Sequence, residues 1–453
     1  MTDFARVDAE LESGMERSLE ELARLVAQPS VAAQKLGLEP CAGQVAGMFR
    51  QRGFEAEIHA TSGAPIVVAR RDGRTARRLL FYNHYDVQPA EPLELWESPP
   101  FTLTRRGQFA FGRGISDDKG HLTARLLALD ALLAAGGELP CGITFIVEGE
   151  EEVSSPNLPG FVRSHRELLA ADACVWEFGS VDHREVPMQY CGLRGICYVE
   201  LSVATAAIDV HSGVGGSILA NAAWRLTWAL ASLKDVDERI RIPGFHDDVR
   251  QPTPQDLVSM QALPEVADEY RRRFGVTSFL HGLTGGTDLR VAEVFQPTCT
   301  ICGLTSGYQG PGSKTVLPAR ASAKVDFRLV PEQTPARVLE CLRKHLDAEG
   351  FGDVKIEFLG GEAPARTDPE HPFVRLVVST AAPVYGMPMQ IVPMIGGSGP
   401  NHVFVHDLGL PVATAGLGYP DTRAHAPNEN IRLDLYLKHA RHMVRLIAAF
   451  GSQ

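Results

Sequence analysis

The segment ITFIVEGEEE, residues 143–152, joins an apolar run directly to a cluster of glutamates. Residues 143–147 are apolar except for Thr144, and such a run is typical of a strand buried on both faces, as in a parallel sheet covered by helices. Glu150, Glu151 and Glu152 at the exit of such a strand repel one another unless a cation lies among them. We therefore predict a sheet whose strand end carries a cation-binding site, with a metal pair as the cation.

Helical and strand patterns alternate on both sides of this segment. Apolar spacing of the helical kind covers residues 4–27, 41–52 and 121–134, and strand patterns cover 65–70, 78–83 and 173–178. Strands that alternate with helices favour an α/β fold with functional groups gathered at the strand ends.

The pattern changes near residue 192 and changes back near residue 371. Between them lie strand patterns at 198–203, 321–329 and 354–358 and helical patterns at 217–233 and 335–348, which indicate a smaller α+β layer. Alternation then resumes and ends in an amphipathic helix over 430–450. We predict an α/β domain formed by residues 1–192 and 366–453, with residues 193–365 inserted as a second domain.

Composition limits the partners of the chain. The 453 residues carry a net charge of −11, which argues against nucleic acid and against an anionic membrane surface. We expect no secretory signal and no membrane span. Eight scattered cysteines are typical of a reduced, cytoplasmic protein, and the Cys299–Cys302 pair is not expected to bind zinc or to act in redox chemistry.

Two histidines and several carboxylates form a set of possible metal ligands. His84 and Asp86 occupy positions i and i+2 at the end of a strand pattern, where they would bind a metal or simply cap the strand. Asp117 precedes a helix pattern and could bridge two cations or favour the helix N-terminus. Glu177 ends another apolar segment, and His425 lies in a Gly/Pro-rich region, where a histidine by itself is usually structural.

The number of these groups supports a metal site. Two imidazoles and three carboxylates, one of them shared, would hold two zinc-like ions in nitrogen and oxygen coordination. A further glutamate could then deprotonate a water molecule, which suits hydrolysis of an amide.

The ordered motifs resemble those of the M20 metallopeptidases, most closely the carnosinase and cytosolic non-specific dipeptidase branch. The resemblance is carried by Asn83–Pro89 (NHYDVQP), Gly112–Gly120 (GRGISDDKG), Glu148–Glu152 (EGEEE), Gly192–Gly195 (GLRG), Asp209–Gly213 (DVHSG) and Ala424–His425. It implies an α/β zinc-peptidase, phosphorylase/hydrolase-like three-layer domain with an inserted ferredoxin-like lid, and a homodimer formed through that lid.

The resemblance also implies a role for each site residue. Asp117 would bridge two divalent metals, zinc or alternatively manganese or cobalt. The other ligands would be His84 and Glu177 for one metal and Glu152 and His425 for its neighbour. Glu151 would be the general base and Asp86 the support of His84. His211 of the lid would stabilise the oxyanion, in the partner subunit's active site. Arg328, Gly397 and Ser398 would hold the substrate's carboxylate, although Arg328 could equally face solvent and Ser398 could simply form a turn.

Several alternatives remain open from the sequence. The expected substrates are dipeptides or small peptides, but Glu177 stands where dipeptidases of this branch commonly have Asp, which favours an N-acyl amino acid deacylase or a carboxypeptidase-type enzyme. Asp172 or Asp182 could replace Glu177 as the fifth ligand. Glu150 has no assigned role and is expected to face water. A non-catalytic metal-dependent binding or scaffold protein with this fold would be expected to lack a metal ligand or the general base. In this sequence each of those positions carries a suitable residue.

Overall fold

Alternating helices and strands fill most of residues 2–453, which are the residues that the computed structural model describes. The helices are α1 (Phe4–Ala27), α2 (Leu38–Gln51), α3 (Lys119–Gly136), α4 (Leu158–Ser164), α5 (Ser212–Gly215), α6 (Ala222–Leu233), α7 (Pro254–Gln261), α8 (Ala267–Phe274), α9 (Gly286–Phe295), α10 (Pro335–Ala348), α11 (Pro372–Tyr385) and α12 (Leu433–Phe450). The strands are β1 (Glu55–His59), β2 (Ile66–Arg71), β3 (Arg78–His84), β4 (Thr104–Arg106), β5 (Phe109–Phe111), β6 (Gly142–Glu148), β7 (Ala173–Trp176), β8 (Ser180–Val181), β9 (Pro187–Tyr190), β10 (Gly192–Leu193), β11 (Gly195–Ala204), β12 (Val210–His211), β13 (Thr300–Ser306), β14 (Val316–Leu317), β15 (Arg320–Leu329), β16 (Lys355–Glu362), β17 (Ala365–Arg366), β18 (Gln390–Val392), β19 (Val412–Thr414) and β20 (Asn430–Arg432).

The described chain divides into two units. Unit 1 contains the residues up to Gly192 together with Arg366–Pro393 and Pro400–Gln453. Unit 2 contains Leu193–Ala365 and the short segment Met394–Gly399.

Unit 1 is built on a mixed six-stranded sheet with the order β1-β2-β6-β3-β7-β19. Strands β6, β3, β7 and β19 are parallel to one another, and β1 and β2 join antiparallel at one side. Every residue of β6 is buried, as expected for a continuous apolar run covered on both faces. The carboxyl ends of the four parallel strands therefore meet at one edge of the sheet, where ligands bind in open α/β sheets.

Helix α3 forms the centre of the helical layer of unit 1. It is buried almost all round from Lys119 to Leu132, and it packs against both α1 and α12. A helix without an exposed polar face is stable only inside a larger structure, because water would otherwise contact its apolar side chains. Helices α1 and α12 are amphipathic, and they cover α3 with their buried faces.

Unit 2 is a ferredoxin-like layer of the expected kind. Its antiparallel sheet has the order β13-β15-β11-β16, and β11 alternates buried and half-buried residues along its length. Helices α6 and α10 pack against this sheet and share its core, which includes Leu226, Phe327 and Leu342. The predicted fold class, an α/β domain with an inserted α+β layer, is confirmed.

The sequence prediction of several element boundaries was off by a few residues. The helix expected over 217–233 begins at Ala222, because the side chain of Asn221 caps it by accepting from Ala223 N (2.9 Å). The strand expected over 173–178 ends at Trp176, so Glu177 lies beyond it. Within residues 2–453, no helix has the length and apolar character needed to cross a membrane.

Candidate metal centre

The strand ends of unit 1 bring six of the predicted side chains to one place. Each lies at or just beyond the carboxyl end of a parallel strand, or in the loop before α3. They are His84 as the last residue of β3, Glu151 and Glu152 in a 3-10 turn after β6, Glu177 directly after β7, Asp117 before α3, and His425 in the loop after β19.

Asp117 lies between the two imidazoles. Its Oδ1 is 2.9 Å from His84 Nε2 and its Oδ2 is 2.9 Å from His425 Nε2. Glu152 Oε2 is 3.1 Å from the same nitrogen of His425, and Glu177 Oε2 is 3.8 Å from His84 Nε2. The arrangement thus has two halves, each with one imidazole and one glutamate, and Asp117 is common to both.

Charge is concentrated in this site. Although burial opposes ionisation of Asp117, hydrogen bonds with His425 and His84 lower the pKa of its carboxyl. Hydrogen bonds with Asp117 and Glu152 raise the pKa of His425 to about 10. Burial raises the pKa of Glu177 well above its usual value, and the nearby Glu151 raises it further. The shifts of Asp117 and His425 are those of a carboxylate paired with imidazole groups, whereas the raised pKa of Glu177 is that of a carboxylate with too little positive charge around it, which a bound cation would relieve.

The donor set fits divalent metal ions. Glu177 Oε2 is buried and has no hydrogen-bond partner among residues 2–453, so this oxygen is available as a ligand. His84 Nδ1 lies 3.0 Å from Asp86 O, which fixes the ring and leaves Nε2 directed at Asp117. An imidazole held in this way through its other nitrogen is the usual arrangement of a metal-binding histidine. Asp117, Glu152 and His425 place their ligand atoms within 4.8 Å of one another.

Asp86 has a second contact that the sequence did not indicate. Its Oδ1 lies 3.4 Å from His84 Nδ1, as expected for a group that supports this imidazole. The same carboxylate accepts hydrogen bonds from the backbone N–H of Glu151 (3.2 Å) and of Glu152 (3.1 Å). Asp86 therefore fixes both the histidine and the turn that carries the two glutamates.

Glu177 differs in its contacts from Asp172 and Asp182, the two carboxylates that were considered as alternative ligands. Asp172 accepts a hydrogen bond from Arg78 N (2.7 Å), at the beginning of β3 and thus at the end of that strand away from His84. Asp182 accepts from Arg184 N (2.8 Å) within a turn. Both carboxylates have local structural partners, whereas Glu177 faces His84.

Glu150 does not simply face water. It is half-buried, and its Oε2 accepts a hydrogen bond from Asn157 Nδ2 (2.5 Å). Glu150, which was expected to face water, is thus only partly exposed, because one of its carboxylate oxygens is bound by the residue that precedes α4. Glu150 holds the beginning of the next helix, α4, to the loop.

Sequence reasoning missed two buried charged residues that support the site. The Arg125 guanidinium donates to Asn83 Oδ1 (2.8 Å) and to Glu177 O (2.9 Å), and so ties the ends of β3 and β7 together. Glu429 accepts hydrogen bonds from the loop that carries Asp117. The available signal for Arg125 was a cationic residue inside a largely apolar helix. For Glu429 there was only its position four residues after His425.

The remaining predicted residues lie in unit 2. Arg328 Nη1 donates to Ser398 Oγ (2.8 Å), and Arg328 Nε lies 3.3 Å from Asp326 Oδ2. Gly397 O accepts from Arg194 N (2.9 Å). His211 is exposed at the end of β12, which pairs with β14 in a separate two-stranded sheet, and its Nδ1 accepts from Gly213 N (3.0 Å). Because Nδ1 is an acceptor, the neutral ring carries its proton on Nε2.

Comparison with known proteins assigns the chain to a family. Residues 80–449 match peptidase family M20/M25/M40. The chain belongs to this family. Membership confirms the resemblance drawn from the motifs and identifies an M20 hydrolase.

Individual M20 relatives share most of the length of the chain. The Cys-Gly metallodipeptidase dug1 of Schizosaccharomyces pombe is 29% identical over 444 residues, 92% of this chain and 92% of the relative. The human Beta-Ala-His dipeptidase is 28% identical over 355 residues, 77% of this chain and 68% of the relative. The crystal structure of the M20 family metallo-carboxypeptidase Sso-CP2 from Sulfolobus solfataricus has a TM-score of 0.92 and 34% identity, covering 96% of this chain and 99% of Sso-CP2.

Proposed function

We propose that this M20 protein is a two-metal dipeptidase that hydrolyses the amide bond of dipeptides or small peptides. The observation that carries the proposal is the position of Asp117, whose two oxygens each lie 2.9 Å from the imidazole of a different histidine. A single carboxylate shared by two sets of nitrogen and oxygen donors suits a pair of divalent ions. The metallodipeptidase relatives support the same reaction.

The five proposed ligands divide between two ions. Asp117 is common to both, His84 and Glu177 complete one set, and Glu152 and His425 complete the other. Two divalent cations, zinc or alternatively manganese or cobalt, would polarise the scissile carbonyl and make water a stronger acid. This nitrogen and oxygen donor set is compatible with all three metals.

Glu151 is the proposed general base. It is adjacent to the ligand Glu152 but is not part of the shared-carboxylate arrangement, and Asp86 fixes its backbone N–H. Glu151 takes a proton from the attacking water and later delivers it to the leaving amine, so that one carboxyl serves both steps. Asp86 fixes the position of Glu151 relative to the ligand His84, because its carboxylate contacts both residues.

Residues of unit 2 are proposed to complete the reaction. His211 would donate Nε2–H to the developing oxyanion, which agrees with the tautomer set by Gly213 N. Arg328, Ser398 and the backbone of Gly397 would bind the substrate carboxylate; Arg328 and Ser398 already contact each other. Residues 193–365 would also form a homodimer, with His211 acting in the partner subunit's active site. Buried thiols such as Cys41 and Cys174 support a reducing, cytoplasmic location.

A second candidate is a carboxypeptidase-type activity. The observation for it is the similarity to the metallo-carboxypeptidase Sso-CP2 at 34% identity, together with Glu177 at a position where the motif resemblance implies Asp for a dipeptidase, whereas the curated dipeptidase relatives support the first candidate. A carboxypeptidase or N-acyl amino acid deacylase accepts substrates whose amino end is blocked, whereas a dipeptidase of the first kind requires a free amine.

The two candidates are separated by a substrate pair. The metal-loaded protein is assayed with a dipeptide and with its N-acetylated form, before and after removal of metal by a chelator. The dipeptidase is supported if only the free dipeptide is hydrolysed, if the chelator abolishes this activity, and if added metal restores it. Preference for the acetylated form supports the second candidate instead. Inactivity of the metal-loaded protein across a panel of such substrate pairs, with no effect of the chelator, contradicts both candidates and favours a non-catalytic protein.

A further inference from the structure

The carboxylate of Glu429 is buried and accepts four N–H hydrogen bonds, all from one loop. Its Oε1 accepts from Ser116 N (2.8 Å) and Asp117 N (3.0 Å). Its Oε2 accepts from Gly114 N (2.8 Å) and Arg113 Nη1 (2.9 Å). These four donors occupy both oxygens, so Glu429 is oriented towards the loop before α3 and is not itself a metal ligand.

Glu429 also belongs to the loop that carries His425. The backbone of His425 has a φ of 62°, and that of Asn428 a φ of 63°, which is the left-handed region that residues other than glycine rarely adopt. Such a conformation persists only where surrounding contacts hold it. The loop is held by Asn428 Oδ1, which accepts from Glu97 N (2.8 Å), and by the bond from Gly112 N to Glu429 O (3.0 Å).

We infer that Glu429 is a positioning residue that fixes the Asp117 loop against the His425 loop and thereby sets the metal affinity of the site. The inference rests on the proposed function, since Asp117 and His425 are the ligands that it aligns. Their contact of 2.9 Å depends on two loops that are remote in sequence. Groups behind metal ligands commonly change metal affinity when replaced, because the ligands lose their orientation.

A purely structural role for Glu429 would make different predictions. Arg113 and Glu429 form a buried ion pair, and breaking any such pair destabilises the fold. The chain provides a comparison pair in the same unit, Glu21 with Arg52 at 2.7 Å, which is also largely buried and in which Arg52 has a second carboxylate partner, Asp130 (2.8 Å). Glu21→Gln therefore controls for the loss of a buried ion pair away from the metal ligands.

The test measures Zn²⁺ affinity by competition with a chromophoric chelator. Glu429→Gln directs an amide NH₂ at N–H donors, so we expect Zn²⁺ to bind about 10- to 100-fold more weakly. Glu21→Gln is expected to lower the melting temperature and to leave the Zn²⁺ affinity unchanged. The inference is overturned if Glu429→Gln binds Zn²⁺ as tightly as the unmodified protein, or if both variants lose affinity equally.

Two further variants complete the design. Glu429→Asp retains the charge but shortens the side chain, so it should fold and still bind Zn²⁺ more weakly; unchanged affinity in this variant also overturns the inference. Asp117→Asn tests the proposed function separately. Unchanged affinity in Asp117→Asn contradicts the metal site itself, whereas loss there with no loss in the Glu429 variants contradicts only the positioning role.

Discussion

Adjacent glutamates have different proposed tasks because the turn separates their side chains. Glu151 and Glu152 both anchor their N–H groups on Asp86, but only Glu152 reaches His425, at 3.1 Å. A 3-10 turn rotates successive residues by about 120°, so neighbours face different sides of one cleft. The short turn after β6 thus presents a ligand and a free carboxyl side by side.

Replacing Glu151 by Gln should separate catalysis from metal binding. The amide occupies the same space but cannot accept and return a proton, so we expect kcat to fall about 10²- to 10⁴-fold. Metal content, measured by elemental analysis of the purified variant, should remain unchanged because Glu151 is not one of the five proposed ligands.

Glu150→Gln is the matched control for Glu151→Gln. Glu150 belongs to the same run, but it bonds Asn157 and takes no proposed part in the reaction. Its substitution should leave kcat near that of the unmodified protein. Retention of activity by Glu151→Gln would refute the assigned base, and loss of metal from that variant would reassign Glu151 as a ligand.

Site residues that lie next to a strand or helix pattern could be predicted from the sequence. Site residues that are recognised only by contacts with residues far away in the sequence could not. His84, Asp117 and Glu152 each lie beside a recognisable strand or helix pattern. Glu429 bonds to Asp117 N, 312 residues earlier in the chain, and no periodicity indicates such a contact. The position of Glu177 relative to Asp172 and Asp182 was likewise open, because the end of β7 is decided by its pairing with neighbouring strands.

Elements with strong apolar patterns were predicted more accurately than their ends. The run at 143–147 lies inside β6, and the pattern at 4–27 matches α1. The final helix was placed over 430–450, but Asn430–Arg432 is strand β20 and α12 starts at Leu433. Pairing with β5 extends those three residues, and this long-range contact outweighs the local helical pattern.

The contact between α11 and α12 makes the stability of the protein sensitive to acid. His442 of α12 is buried, and its Nε2 lies 3.0 Å from Val377 O of α11. Burial lowers the pKa of His442 to about 4, and its Nδ1 has no partner among the described residues. The unfolded chain takes up this proton near pH 6.5, so the free energy of unfolding falls as the pH drops from 6.5 towards 4.

His442→Gln should reduce this acid sensitivity. Glutamine can still donate to Val377 O but does not titrate. Between pH 7 and pH 5 we expect the unmodified protein to lose about 2 kcal/mol more unfolding free energy than the variant. Urea unfolding at both pH values measures the difference. The same pH dependence in both proteins would show that His442 is not the group responsible.

At the scale of the whole molecule, the proposed homodimer predicts complementation between two inactive variants. If His211 acts in the partner subunit's active site, a dimer of one Glu151→Gln subunit and one His211→Asn subunit contains one site with both groups intact. With random pairing, half of the dimers are mixed, so co-expression should restore about a quarter of the normal activity. The measurement is the specific activity of the co-purified mixture.

The control is each variant expressed alone, where every site lacks one group. No recovery in a mixture whose mixed dimers are demonstrated by two different affinity tags would show that His211 acts within its own subunit. A protein that sediments as a monomer would contradict the dimer itself.

The pairing of β11 with β16 has a consequence for chain entropy. Strands β7 and β19 must meet although roughly 240 residues separate Cys174 from its neighbour Val412, and closing so long a loop costs about 5 kcal/mol. Ile196 lies beside Glu362 in the sheet of unit 2, so that unit, once folded, holds its own two ends together. The loop that remains to be closed between β7 and β19 is then about threefold shorter, which lowers the entropic cost of closure by about 1 kcal/mol. Unit 2 thus holds together the two ends of the chain that it interrupts, and the sheet of unit 1 forms as if a much shorter connection joined its halves.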